Sequence, residues 1–225
     1  MQGAYGIKIP ILNLFGPPGS GKTELASTLM AFFQTDYEPT NIESTIPAME
    51  ELVGSVSNAL VHIDEYKNSI KENKSQWLKD LWNAVGRIKK SIDLGKRVQG
   101  RVDSCVILTG QEMPTVDFAL FTRLLYIPWD RNKFSEEERV RFEQLRHLKM
   151  MGATHITLEI LKHRDKFEAQ LGQAWKKAGE DLKYHLFGTQ LAVDRLRTNW
   201  QVPLAAYLAA GDAVDWPFTY ETLLG

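Results

Sequence analysis

Gly16-Pro-Pro-Gly-Ser-Gly-Lys-Thr23 fills the pattern G-x-x-x-x-G-K-[ST] at every fixed position. Few short patterns constrain a fold so tightly, because this one works only between a strand and a helix. Ile7-Lys-Ile-Pro-Ile-Leu-Asn-Leu-Phe15 reads as a buried strand entering the loop. Glu24-Leu-Ala-Ser-Thr-Leu-Met-Ala-Phe-Phe33 reads as a helix leaving it, its positive N-terminal end aimed at the loop. Gly16, Gly19 and Gly21 carry no Cβ, so backbone N–H groups can wrap closely around phosphate. Lys22 places a point charge within reach of β- and γ-phosphates, and the Thr23 hydroxyl suits Mg²⁺. With Pro17, Pro18 and Ser20 completing the loop, residues 16–23 are expected to hold a nucleoside triphosphate with Mg²⁺. The alternative is a glycine-rich turn that matches by accident, which leaves the order strand, loop, helix unexplained.

The 225 residues accommodate one α/β domain and a smaller appendage. Hydrophobic residues at 44% and charged residues at 24% are ordinary for a soluble globular chain. No apolar run approaches the ~20 residues of a membrane helix, and the first residues lack a secretory pattern. No membrane partner is therefore expected. A single cysteine, Cys105, rules out an internal disulfide and fits a cytoplasmic location. The net charge of −1 means that any affinity for nucleic acid must come from a local patch.

After a polar turn over 34–41, Ile42–Pro47 has room for a short strand, and Ala48–Ser57 reads as a short helix weakened by Gly54. Ala59-Leu-Val-His-Ile-Asp-Glu65 describes a buried parallel strand that ends in two carboxylates. Open α/β sheets place their ligands at that edge. Asp64 is placed to hold Mg²⁺ opposite Thr23, and Glu65 to orient the attacking water. The competing reading is a helix start with two solvated acids. Trp77, Leu78, Leu81, Trp82 and Val85 follow at helical spacing and are expected in the core.

Residues 86–101 contain six Lys or Arg among sixteen, punctuated by three glycines. The stretch reads as a hairpin with Asp93-Leu-Gly-Lys96 near its tip. Lys89, Lys90, Lys96 and Arg97 are candidates for contact with a nucleic-acid backbone; a solvated basic loop is the alternative. Ser104–Gln111 is a further buried strand with a polar end, where Gln111 is placed to sense phosphate or position water. Arg123 sits at a turn before a last strand, Leu124 to Ile127. It is a candidate for reaching the triphosphate of a neighbouring subunit, although the pattern alone favours an ordinary ion pair. From Ser135 onward the chain reads as helices, over 139–149, 157–172, 173–186 and 191–210, the last interrupted by Pro203. The domain boundary is expected at 130/131, separating an α/β core (1–130) from a C-terminal α-helical appendage (131–225). His155 and His163 are isolated and show no metal-ligand spacing.

The order of phosphate loop, Asp-Glu strand, basic hairpin, polar-ended strand, edge arginine and helical appendage resembles an AAA+ P-loop ATPase. Thr40-Asn-Ile-Glu-Ser-Thr45, Ile63-Asp-Glu-Tyr-Lys-Asn68, Leu78-Lys-Asp-Leu-Trp-Asn83 and Leu108-Thr-Gly-Gln-Glu112 narrow the likeness. They resemble the helicase and primase-helicase ATPases of phages, plasmids and integrated elements. The resemblance spans roughly residues 8 to 200 and is most specific at the phosphate loop.

It implies Walker A at 16–23, Walker B at Asp64-Glu65, the first sensor at Gln111 and the arginine finger at Arg123. It further implies a pre-sensor hairpin at 86–101 facing the channel of a homo-oligomeric ring, expected to be a hexamer, with Arg195 or Arg197 as second sensor. Few residues precede the first strand, where many ring ATPases place base contacts, so a longer protein carrying a primase or zinc-finger region is expected. The implied function is an ATP-hydrolysing DNA helicase or translocase in mobile-element replication, acting on single- or double-stranded DNA. The rivals are a protein-remodelling or assembly ATPase and an ATP-dependent switch with little turnover. A small-molecule kinase is disfavoured by the consecutive Asp64-Glu65.

Overall fold

The computed structural model describes residues 6–33, 38–90, 97–130, 135–185 and 194–225, with backbone alone at 85–90, 97–101 and 212. Two compact units result, Met1–Thr154 and His155–Gly225.

In the first unit, β1 (Ile11–Phe15) runs into the glycine-rich loop, and α1 (Lys22–Ala31) leaves it. Then come β2 (Thr40–Asn41), α2 (Ile46–Ser55), β3 (Leu60–Tyr66) and α3 (Glu72–Trp82). A hairpin of β4 (Val85–Lys90) and β5 (Arg97–Arg101) is followed by β6 (Cys105–Gly110), α4 (Phe118–Phe121), β7 (Leu124–Pro128) and α5 (Glu136–Met151). Five strands form one sheet in the order β2-β3-β6-β1-β7, and every neighbouring pair is parallel. The architecture is therefore α/β, a parallel sheet flanked by helices, as expected.

Alternation along the strands sorts side chains onto two faces. Leu12 and Leu14 of β1, Leu60 of β3 and Ile107 of β6 pack with Ala26, Leu25 and Leu29 of α1. On the other face Ile11, Val61, Ile63, Val106 and Leu108 pack with Met49 and Val53 of α2 and Trp77, Leu78 and Leu81 of α3. The chain leaves β1 and crosses β6 and β3 to reach β2 at the edge. The loop after β1 thus lies where an open parallel sheet forms its ligand crevice.

Several boundaries differ from expectation. The short strand falls on Thr40–Asn41, ahead of Ile42–Pro47, because Thr45 caps a helix that begins at Ile46. The helix containing Trp77 ends at Trp82, and Ala84 adopts φ 56, so Val85 opens a strand instead of extending the helical core. Of the stretch expected as a hairpin, the described residues 85–90 and 97–101 do pair antiparallel, with Lys89 opposite Val98 and Lys90 opposite Arg97. Its expected tip, including Lys96, lies outside the described residues.

The boundary expected at 130/131 falls inside the first unit. Ser135 starts α5 with a capping box closed by Glu138. At its far end, Lys149 pairs with Glu24 of α1 at 2.7 Å, and the Ala153 N–H donates to the Ala31 carbonyl at 3.2 Å. These bonds tie the helix to the α/β core.

The second unit contains α6 (Thr154–Leu161), α7 (Arg164–His185), α8 (Asp194–Ala210), a 3-10 turn and α9 (Tyr220–Leu224). The break expected at 172/173 is absent, and α7 runs on through Gly172. Pro203 does not interrupt α8, because Leu204 and Ala205 are locked against Ala178 and Leu182 of α7. Packing here overrides the lost backbone bond.

Candidate functional site

The glycine-rich loop 16–23 is held open by its glycines and by one tryptophan. Gly19 and Gly21 have φ of 71 and 93, a region that penalises any Cβ. Gly16 is required for a different reason: a Cβ there would collide with the backbone carbonyl of Trp129. Its own N–H is bonded to the Gly110 carbonyl at 3.2 Å and so anchors the loop to β6. Trp129 follows β7 directly, its N–H on the Phe15 carbonyl at 2.7 Å and its indole Nε1–H on the Ser20 carbonyl at 2.5 Å. The loop is thereby clamped from both ends of one residue.

Lys22 is almost fully buried, its Nζ donating to the carbonyls of Gly16 (2.9 Å) and Pro17 (2.7 Å) and to Ser20 Oγ (3.2 Å). Burial lowers its pKa, and the charge of Asp64 pulls it back up. In the first turn of α1, the Thr23 hydroxyl lies 3.3 Å from Asp64 Oδ2.

In a regular strand Asp64 and Glu65 would point to opposite faces. They do not here, because β3 shifts register against β6 between Ile63 and Tyr66 and Glu65 takes a left-handed φ of 66. Both carboxylates consequently line one pocket of about 450 Å³ with Gly19, Lys22, Thr23 and Gln111. Asn41 reaches across from β2, and its Nδ2 donates to Glu65 Oε2 at 2.6 Å.

Beneath Asp64 lies a polar pair in an otherwise apolar layer. His62 and Thr109 are both buried, and His62 Nε2 is 2.7 Å from Thr109 Oγ1. The Thr109 hydroxyl in turn donates to Asp64 Oδ1 at 2.5 Å. Burial pushes His62 below its ordinary pKa, against the pull of Asp64.

A second cavity, of about 740 Å³ and mainly apolar, opens on the other side of Gly19–Gly21. Leu25, Pro128, Trp129, Phe142 and Leu145 form its walls.

The residues expected at the site thus separate. The loop 16–23, Asp64, Glu65 and Gln111 meet at one sheet edge. Gln111 is exposed, one residue past the end of β6. Arg123 is not brought to this pocket: its carbonyl accepts from Ile11 at the start of β1, about 16 Å of strand away from the loop. Its guanidinium donates to the Ala119 carbonyl and lies 5.2 Å from the Trp82 ring centroid. Lys89, Lys90 and Arg97 stand on the hairpin strands. Arg197 belongs to the second unit, where it pairs with Asp194.

Sequence reasoning missed Trp129, Asn41 and His62 as parts of the site, and read Thr109 only as part of the polar end of its strand. The available signals were an aromatic residue directly after the last strand, and polar residues inside otherwise apolar strands.

Magnesium fits the donors present, because a carboxylate and a hydroxyl together with phosphate oxygens and water are what that ion takes. Thr23 and Asp64 would hold it.

No family model matches the sequence, and no curated protein is found similar to it. Among solved structures the chain is similar to one described as "SCCmec type IV Cch - active helicase", with a TM-score of 0.65 over 95% of this chain at 13% identity. The present chain spans 40% of the length of that one. At that identity the likeness is one of fold.

Proposed function

We propose that the chain is an AAA+-type ATPase domain whose phosphate loop binds ATP and whose Glu65 drives its hydrolysis. The convergence of Lys22, Thr23, Asp64 and Glu65 on one pocket carries this reading. Lys22 would exchange the loop carbonyls for β- and γ-phosphate oxygens and neutralise charge that develops there. Thr23 and Asp64 hold magnesium, which when bound supplies further charge neutralisation. Glu65 orients the attacking water and accepts its proton, and Gln111 lies at the rim of the same pocket to sense phosphate. The nucleobase belongs in the apolar cavity across Gly19–Gly21, against Trp129 and Phe142.

The same proposal makes the domain a helicase or translocase on DNA, assembled as a homo-oligomeric ring such as a hexamer. The likeness in fold to an active helicase and the basic β4–β5 hairpin support this. Arg123 stands at the sheet edge remote from its own loop, which suits action on a neighbouring subunit's triphosphate. The switch reading gains from one observation, the Asn41–Glu65 hydrogen bond, which ties up the water-activating carboxylate.

Equilibrium binding of a fluorescent ATP analogue tests nucleotide recognition. Lys22→Ala is expected to abolish binding, and Trp129→Ala to weaken it about ten-fold, the loss of one stacked base. Unchanged affinity in both variants would sink the assignment.

A further inference from the structure

We propose that Thr109 and His62 are positioning residues for the Asp64 carboxylate, forming a buried relay that dictates which of its oxygens faces the phosphate loop. The proposal rests on the nucleotide reading of the site.

Strand alternation puts the relay together. His62 and Asp64 are two apart on β3 and share a face, and His62 pairs in register with Ile107, two residues before Thr109. That face is the one covered by α1, the helix that carries Thr23. Thr109 has a single hydroxyl proton. It is given to Asp64 Oδ1, so the Thr109 oxygen must accept from His62, which fixes the imidazole as its Nε2–H tautomer. Asp64 Oδ1 also accepts the Glu65 N–H at 2.7 Å. With two donors on Oδ1, the carboxylate cannot rotate without breaking both bonds, and Oδ2 is left turned toward Thr23. His62 and Thr109 are 2% and 0% exposed, so water does not substitute for either partner. Neither side chain lines the pocket, which is why both act through Asp64 and not on the substrate. Two polar side chains buried in an otherwise apolar layer suit an outer shell for a metal-holding carboxylate.

The test is Mn²⁺ binding, followed by electron paramagnetic resonance in the presence of a non-hydrolysable ATP analogue, on wild type, Thr109→Val, Thr109→Ser and His62→Gln. Thr109→Val is expected to weaken Mn²⁺ binding about 10–100-fold, the usual effect of removing an outer-shell partner. Affinity for the analogue without metal should not change, and Thr109→Ser should restore Mn²⁺ binding. His62→Gln, which keeps a donor, should fall between them, and ring ¹⁵N shifts of wild type should report the Nε2–H tautomer. Wild-type Mn²⁺ affinity in Thr109→Val, or a Thr109→Ser variant as weak as Thr109→Val, overturns the relay and leaves the nucleotide reading standing. If wild type binds the analogue no better than Lys22→Ala does, both fall.

Discussion

Asn41 Nδ2 donates to Glu65 Oε2 across 2.6 Å, joining the edge strand β2 to the acid that lies beside the phosphate loop. The bond draws the carboxylate toward β2, and the left-handed backbone of Glu65 makes the reach possible. A hydrogen bond to a charged group contributes about 1.5–3 kcal/mol. Asn41→Ala should therefore release Glu65 and raise kcat several-fold without DNA, leaving KM for ATP nearly unchanged. Steady-state ATP hydrolysis checks this; a fall in kcat would mean that Asn41 aligns Glu65 for catalysis.

Gly16→Ala should destabilise the first unit strongly. The added methyl meets the Trp129 carbonyl, a backbone atom that the Phe15–Trp129 bond prevents from moving. The expected cost is about 3 kcal/mol, at the upper end for overpacking. That corresponds to a fall of roughly 6–12 °C in melting temperature for a chain of this size. Gly19→Ala, which meets open space, should suffer only the smaller backbone penalty of its positive φ.

Asp117 makes the fold sensitive to acid. Burial works against its ionisation, but hydrogen bonds from Ser75, Lys79 and the Leu120 N–H outweigh it and bring the carboxyl down to about 2 from 3.8. A depressed acid stabilises the fold above its unfolded pKa, and that contribution disappears as pH falls through the folded one. Wild type should exceed Asp117→Asn by up to about 2 kcal/mol at neutral pH, with the gap closing between pH 4 and pH 2. Urea unfolding across that range measures it, and a gap independent of pH would contradict the assignment.

The β4–β5 hairpin, if it grips a phosphate backbone, makes DNA affinity salt-dependent. Each of Lys89→Ala, Lys90→Ala and Arg97→Ala should weaken single-stranded DNA binding regardless of sequence and lower the salt slope by about 1. Affinity that is flat between low and physiological salt would remove nucleic acid as the hairpin's partner.

Much of the candidate site was legible because its signals are local. Gly16 to Thr23 form a complete local pattern, and the acids Asp64 and Glu65 end an apolar run that reads more readily as a buried strand than as a helix start. What escaped was set by tertiary contact. Thr109 and His62 look like stray polar residues in two strands until the β3–β6 register places them side by side. Trp129 reads as the start of a linker, and only the fold shows it clamping the loop. The helix over 136–151 reads as part of an appendage because its spaced apolar positions are interleaved with charges. Its attachment to α1 rests on Lys149 and Glu24, which are 125 residues apart. Pro203 failed as a breaker because neighbouring side chains are packed too well for the helix to open.

The decisive measurement is ATP turnover with and without single-stranded DNA for wild type, Lys22→Ala and Glu65→Gln, at concentrations where assembly is monitored by light scattering. An ATPase motor centred on this pocket predicts turnover that DNA stimulates, reduced about 10²–10³-fold in both variants, with Glu65→Gln still binding nucleotide. Turnover that survives Lys22→Ala would place the chemistry elsewhere and contradict the proposal.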